Sequence, residues 1–203
     1  MNKDTILYLG GSPCAGKSSV AEILAADYGL NYLRLDDKLD SHIQSASPDT
    51  QPIMASLREA TCDEIWLMPP TQQTRREIQF YLEEFPLHQQ DILQAHKPLL
   101  VEAAALLPCL VAPLISTKQD VLYMVPTAQF QRKHYGQRPW VADVLRDCSD
   151  PEQAFDNWMR RDEQFARWVR RSALFHGLQT IIVDGSYDIN AHAQMAVQHF
   201  GLA

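Results

Sequence analysis

The stretch Thr5-Ile-Leu-Tyr-Leu-Gly-Gly-Ser-Pro-Cys-Ala-Gly-Lys-Ser18 decides the fold of this 203-residue chain. Its first five residues form an apolar run typical of a buried strand, and residues 11–18 fit the pattern G-x-x-x-x-G-K-S. A helical pattern of small and apolar residues begins at Lys17. This order of strand, glycine-rich loop and helix predicts a phosphate-binding loop. A glycine-rich turn without a ligand is the alternative.

The loop chemistry predicts a nucleoside triphosphate as its ligand. Gly11 and Gly16 carry no Cβ atom, so the backbone can approach a triphosphate and surround its β-phosphate with N–H groups. Lys17 would bridge the β- and γ-phosphates, and the Ser18 hydroxyl would bind Mg²⁺. We therefore expect ATP and Mg²⁺ as cofactors, with the triphosphate held by Gly11, Ser12, Pro13, Cys14, Ala15, Gly16, Lys17, Ser18 and Ser19.

Composition and length limit the class of protein. With 18 Lys and Arg against 25 Asp and Glu, the net charge of -7 disfavours a partner nucleic acid. The four cysteines and seven histidines show no zinc-like spacing, which favours a reduced, cytoplasmic compartment and indicates no zinc site. No signal peptide and no apolar run of about 18 residues is found, so we expect no membrane partner. The length suits one domain, residues 1–203, as a monomer or homodimer.

Strand and helix patterns alternate along the chain, which predicts an α/β fold with a parallel sheet between two helical layers. The segment 38–97 is longer than one crossover helix requires and predicts a helical insertion that binds an acceptor. Each strand ends on polar or turn residues, as at the carboxyl edge where such sheets bind ligands. The predicted strands are residues 5–10, 31–35, 98–103, 120–125 and 180–184.

Two strand ends carry carboxylates that would face the phosphates. Asp36 could deprotonate an acceptor hydroxyl and hold Mg²⁺ through water, whereas one of Asp36 and Asp37 could instead cap the next helix. Asp36 is preferred for the reactive role because it directly follows the strand. Glu102 could orient the water shell of Mg²⁺ or pair with an internal arginine. The predicted metal site is Ser18, Asp36 and Glu102.

Arginines on the long helix that begins near Pro151 fall into two groups. Arg160 and Arg167 each follow an acidic residue by four positions and are explained as surface pairs. Arg161 has no such partner and lies beside an apolar seam that contains Asp162. We expect Arg161 to clamp phosphate during catalysis, and a structural ion pair is the alternative.

The segment from about 127 to 150 is predicted to be a lid, because residues 130–140 combine cations with aromatic side chains. Arg132 is expected to bind the nucleotide and Arg138 to take part in catalysis; a solvated basic face is the alternative. Within the insertion, Trp66 and residues 75–76 could line an acceptor pocket. A core position for Trp66 and solvent for the two arginines is the more ordinary interpretation.

The phosphate loop, the position of Asp36 and the Arg138-Pro139 pair before an arginine-bearing helix resemble the small-molecule kinases of the P-loop class. These include shikimate kinase, gluconate kinase and chloramphenicol phosphotransferase, with nucleoside monophosphate kinases more distant. The resemblance implies a five-stranded sheet of order 2-3-1-4-5, Asp36 at the acceptor hydroxyl, Arg138 in a lid, and a turn at Gly185-Ser186 that contacts adenine.

This resemblance implies ATP-dependent transfer of a phosphoryl group to a hydroxyl of a small metabolite. Shikimate kinases place a glycine cluster after the third strand, but this chain has Glu102 followed by three alanines, which disfavours shikimate. A nucleoside or nucleotide kinase would use the same donor site. A regulatory protein that hydrolyses ATP slowly is an alternative of a different class.

Overall fold

Five parallel strands form a sheet across residues 3–202, the part of the chain that a computed structural model describes. The sheet order β2-β3-β1-β4-β5 is the one that the resemblance implies. Every strand end lies within one residue of its predicted position, and the outermost residues of the predicted domain, 1–2 and 203, lie outside the described range. The strands are Ile6–Gly11 (β1), Asn31–Arg34 (β2), Leu99–Glu102 (β3), Val121–Pro126 (β4) and Gln179–Val183 (β5).

Helices connect the strands, and two of them begin where the sequence pattern indicates. The first helix begins at Lys17, as expected, and the long helix begins at Pro151 with Asp150 as its N-cap. The insertion forms α2–α5, and the expected lid forms α7 and α8. The helices of residues 3–202 are Lys17–Tyr28 (α1), Leu39–Ser45 (α2), Pro52–Ser56 (α3), Cys62–Trp66 (α4), Pro70–Gln94 (α5), Pro108–Val111 (α6), Ala128–Tyr135 (α7), Trp140–Leu145 (α8), Pro151–Phe175 (α9) and Ile189–Phe200 (α10).

The sheet separates two hydrophobic layers, which makes β1 buried on both faces. Leu7 and Leu9 pack with α1 and α10, whereas Tyr8 packs on the other face with α9. This alternation follows from the two-residue period of a strand, and burial on both faces is typical of parallel sheets. Because Leu9 pairs with Glu102 and Gly11 with Met124, the loop leaves β1 at the carboxyl ends of β3 and β4.

A smaller apolar cluster joins the insertion to the lid. Trp66 lies 4.4 Å from Trp158 between ring centres, and Tyr135 lies 5.2 Å from Trp158. Cys62 and Cys148 form a disulfide beside this cluster. This disulfide does not agree with the reduced compartment that the cysteine spacing led us to expect. Among the described residues, no helix is both long and apolar enough to cross a membrane.

Candidate nucleotide and acceptor site

The loop between β1 and α1 has the backbone shape of an anion-binding concavity. Cys14 (φ 65°) and Gly16 (φ 78°) adopt left-handed conformations. Successive residues in such alternating conformations turn their N–H groups toward one point, at the N-terminus of the next helix. No other residue type fits at position 11, because the Cβ atom that would replace a hydrogen of Gly11 would collide with the carbonyl oxygen of Met124. The Ser12 hydroxyl is buried without a hydrogen-bond partner among the described residues.

Four polar side chains meet at the start of α1. The Lys17 ammonium donates to the Ser12 carbonyl oxygen (3.1 Å) and lies 3.7 Å from Glu102 Oε1. The Ser18 and Tyr32 hydroxyls both donate to Glu102 Oε2, at 3.1 and 3.0 Å. Glu102 is only 1% exposed, so these partners offset the cost of its burial. Its charge partner is Lys17 rather than the internal arginine considered from the sequence.

This donor set fits Mg²⁺ and a triphosphate. Mg²⁺ prefers oxygen ligands and keeps several waters, and the Ser18 hydroxyl and Glu102 carboxylate supply such oxygens 3.1 Å apart. The Lys17 ammonium lies at the same place and could exchange its carbonyl partner for phosphate oxygens. The buried Ser12 hydroxyl supplies a further polar group that a bound phosphate could satisfy.

Asp36 and Asp37 occupy different environments, although they are adjacent. Asp36 is the second residue of a turn of 3₁₀ helix, Leu35–Lys38, and it is exposed to solvent where it lines a cavity. Desolvation there raises the pKa of the Asp36 carboxyl above its ordinary value, while the nearby Lys17 ammonium lowers it. Asp37 lies on the surface, 3.7 Å from Arg34 Nε. The geometry thus favours Asp36 for contact with a ligand.

Arg138 lies near the phosphate loop, on the segment expected to form a lid. Its Nη2 lies 3.7 Å from Cys14 Sγ, and its guanidinium lies 4.9 Å from the Tyr135 ring centre and 5.6 Å from that of Trp140. Within residues 3–202 it forms no ion pair. Burial raises the pKa of the Cys14 thiol despite the nearby cation, which favours a packing role for this cysteine. Arg138 is therefore a cation near the loop that has no carboxylate partner among the described residues.

Arg161 lies on the wall of the same cavity as Asp36, but carboxylates already surround it. It pairs with Glu77 and lies 2.6 Å from Asp162 Oδ1, and its guanidinium carbon is 5.3 Å from the Trp66 ring centre. Burial alone would lower the pKa of Arg161, but the two carboxylates raise it above its ordinary value. Burial raises the pKa of Asp162 to about 6, although Arg161 opposes the shift. These contacts favour the structural pairing.

A cavity of about 530 Å³, here called the nucleoside cavity, lies beside the loop at Ala15 and Gly16. Gly185, from the turn expected to contact adenine, lines this cavity, while the Ser186 amide donates to Asp184 Oδ1 (2.9 Å). The remaining wall was not predicted in detail and includes Gln129, Phe130, Lys133, His134, Tyr187, Ile189 and His192. Phe130 and His134 lie 4.0 Å apart between ring centres and offer a flat surface for a base.

A second cavity of about 540 Å³, here called the acceptor cavity, lies beside the loop at Pro13. Asp36 lines it, as do Ala104 and Ala105 after Glu102. The opposite wall comes from the insertion, α7, α8 and α9 and includes Trp66, Arg76, Glu77, Phe80, Tyr81, Glu84, His88, Tyr135, Trp140, Trp158 and Arg161. The expectation that Arg76 faces solvent is wrong, since it is half-buried on this wall.

Arg132 is held away from both cavities. Its Nη2 donates to Asp156 Oδ1 at 2.7 Å on the exposed side of α9. The sequence indicates that Arg132 lies near the loop, but it does not show in which direction helix α7 points the side chain. Arg75 is exposed, in agreement with the solvent-facing interpretation, and Ser19 lies in the first turn of α1.

Sequence reasoning missed Tyr32, which contacts Glu102, and two acidic residues that the fold brings to the acceptor cavity. Tyr32 on β2 gave no signal, because a tyrosine in a strand is ordinary. Glu77 and Glu84 lie on α5 and were not singled out from the sequence. Their spacing of seven positions, which is two helical turns, could have indicated a shared face.

No protein-family model matches the chain, and no curated protein matches it. Among solved structures, it is similar to shikimate kinase from Acinetobacter baumannii in complex with shikimate (17% identity, TM-score 0.49, covering 96% of this chain and 91% of that one). It is also similar to a candidate kinase from Chloroflexus aurantiacus (17% identity, TM-score 0.46, covering 98% and 99%). At these values the likeness extends no further than the fold. The function has to be inferred from this chain's own side chains.

Proposed function

We propose that this chain is an ATP-dependent phosphotransferase that moves the γ-phosphate onto a hydroxyl of a small metabolite. The observation that supports this most is the position of the phosphate loop between two cavities. Gly16 lines the nucleoside cavity, whereas Pro13 lines the acceptor cavity together with Asp36. A phosphate held by the loop would lie between a bound nucleoside and an alcohol beside Asp36. Such positioning is the main requirement for phosphoryl transfer.

The side chains have separate roles in this proposal. Lys17 binds the β- and γ-phosphate oxygens, and Arg138 adds a second cation from the lid. Mg²⁺, held by Ser18 with Glu102 and Asp36 acting through water, would neutralise phosphate charge. Asp36 accepts the proton of the acceptor hydroxyl while the hydroxyl oxygen forms its bond to phosphorus. The bond from that phosphorus to the bridging oxygen breaks, and ADP leaves. The raised pKa of Asp36 makes it a stronger base than an ordinary carboxylate.

The charges of the acceptor cavity favour an acceptor without a carboxylate or phosphate. Arg161 is occupied by Glu77 and Asp162, and both terminal nitrogens of Arg76 donate to backbone carbonyl oxygens, at 2.8 and 2.7 Å. Asp36 would repel a further anion. The aromatic part of the wall suits a ring or an apolar body. We therefore place the acceptor among neutral or cationic alcohols with a compact ring.

The test is ADP release in a coupled assay across acceptors that differ in charge. One group contains sugars, nucleosides, cyclic polyols and amino alcohols; the matched group contains hydroxy acids and nucleoside monophosphates. We expect stimulation by a member of the first group. Asp36→Asn should abolish that stimulation, and Asp37→Asn, its matched control, should keep it. Direct detection of the phosphorylated alcohol completes the assignment.

Two other outcomes would replace the proposal. Stimulation by nucleoside monophosphates alone would identify a nucleotide kinase, and slow release that no acceptor changes would indicate a regulatory ATPase. Binding of no nucleoside triphosphate by calorimetry with Mg²⁺ would remove all three. We also propose a cytoplasmic location. The cytoplasm keeps most thiols reduced, so the Cys62–Cys148 disulfide makes this location testable. Thiol labelling of the protein extracted under acid quench would show whether the two cysteines are joined in the cell.

A further inference from the structure

A cluster of four ionisable side chains is buried between α2 and α5, at the base of the insertion. His42 is 7% exposed, Glu84 2% and His88 1%. Glu84, His88 and Asp91 lie on one face of α5 because their spacings of four and three positions match the helical period. The cluster lies outside the phosphate loop, and the function proposed above does not use it, although Glu84 and His88 reach the acceptor cavity.

The two contacts of His42 cannot both be hydrogen bonds between a neutral ring and ionised carboxylates. Its Nδ1 lies 3.0 Å from Glu84 Oε1, and its Nε2 lies 3.1 Å from Asp91 Oδ2. A neutral imidazole carries one N–H, so one of these nitrogens would direct a lone pair at a carboxylate. The ring carries two protons, one of the two carboxyl groups is protonated, or a cation lies between one nitrogen and its carboxylate.

His88 supplies the second, independent observation. Neither of its ring nitrogens has a hydrogen-bond partner among the described residues, although the ring is almost fully buried. Its Nε2 lies 3.1 Å from Glu84 Oε2, but without hydrogen-bond geometry. A buried ring nitrogen with no partner costs free energy, so this side chain has an unused ligand atom.

We propose that His42, His88 and Asp91 bind a divalent transition-metal ion of the zinc class. One ligand atom from each residue lies within 4.8 Å of the others, so shifts of less than about 1 Å would bring them around an ion with bonds of about 2.1 Å. Two imidazoles and one carboxylate form a donor set typical of zinc. Glu84 would accept the N–H of His42 and fix its tautomer, as carboxylates do beside metal-bound histidines.

The metal would join α2 to α5 and leave room for a fourth ligand. Three protein ligands around zinc leave one position for water. Glu84 and His88 line the acceptor cavity, so the ion would stabilise the wall that meets the acceptor. This inference does not depend on the proposed function, because metal binding is measured without a substrate.

Zinc titration against a chromophoric chelator tests the site, using metal-stripped protein in excess Mg²⁺. We expect one bound equivalent per chain and a rise in the thermal unfolding midpoint. His88→Gln and Asp91→Asn should each weaken binding by at least about tenfold, because loss even of an outer-shell partner has an effect of that size. The exposed His96→Gln is the matched control, and Ser18→Ala should also bind one equivalent, which separates this site from the nucleotide site.

The proposal is overturned if the folded wild-type protein binds no zinc equivalent. It is also overturned if the ligand variants bind zinc as tightly as His96→Gln does; in either case the cluster is a hydrogen-bonded network that holds no metal. Should His88→Gln fail to fold, Asp91→Asn supplies the comparison, since its side chain is 21% exposed and its replacement disturbs packing less.

Discussion

Asp162→Asn should change how stability depends on pH. Burial raises the pKa of Asp162 from 3.8 to about 6 in the folded protein. A carboxyl with a raised pKa stabilises the fold below its unfolded pKa and loses that contribution as the pH rises through the folded value. The shift corresponds to about 3 kcal/mol, lost mostly between about pH 4 and 7. Asparagine resembles the protonated side chain and does not ionise.

The measurement is urea unfolding of both proteins at several pH values, followed by tryptophan fluorescence because Trp158 lies one turn from Asp162. The unfolding free energy of Asp162→Asn, minus that of the wild type, should rise by about 2–3 kcal/mol from about pH 4 to 7. Glu163→Gln, a control whose side chain is 40% exposed, should show little change. A constant difference for Asp162→Asn would refute the reasoning, and a falling one would mean that Arg161 outweighs burial.

Three further predictions concern the proposed transfer. Asp36→Asn should lower kcat by about 10²- to 10⁴-fold with nearly unchanged ATP affinity, as measured by steady-state kinetics and calorimetry. The control Asp37→Asn should resemble the wild type. Equal losses of kcat and ATP affinity in Asp36→Asn would indicate that Asp36 acts mainly in metal binding. Lys17→Ala should weaken ATP binding and abolish transfer, and normal transfer would disprove the loop assignment. Arg138→Lys should lower kcat/KM roughly tenfold or more, because a point charge replaces a planar donor. The exposed Arg146→Lys serves as its control. If Arg138→Lys has the same kinetics as this control, Arg138 does not belong to the site.

The sheet could be predicted from the sequence because most of its strands are short apolar runs that end on polar or turn residues. Val121–Val125 stops at Pro126, and Thr180–Val183 stops at Asp184, so periodicity and turn chemistry agree at these positions. The loop and its helix were equally clear, since glycines and a lysine at fixed spacing carry their own geometry. The sheet order came from the resemblance, which the observed order confirms.

The direction of side chains could not be predicted to the same extent. Arg132 and Arg138 lie in one cationic stretch, but one pairs with Asp156 and the other reaches Cys14, because a helix and a turn orient them differently. The carboxylate partners of Arg161 could likewise be predicted only in part. Asp162 is adjacent in sequence, whereas Glu77 comes from α5 through tertiary packing.

Histidine spacing was also a poor guide. His42 and His88 belong to separate helices, so a search for two histidines on one helix cannot find them. Their rings lie 5.0 Å apart because α2 returns across α5. The same packing places Glu84 between them.

Separate cavities at Gly16 and Pro13 have a kinetic consequence for the proposed enzyme. Neither substrate has to vacate its place before the other enters, so a ternary complex can form and no phosphorylated enzyme is needed. Initial-rate plots should then intersect rather than run parallel. A bisubstrate analogue, with a nucleotide tethered through phosphates to the alcohol, would occupy both cavities and bind more tightly than either half, because the second half binds at high effective concentration.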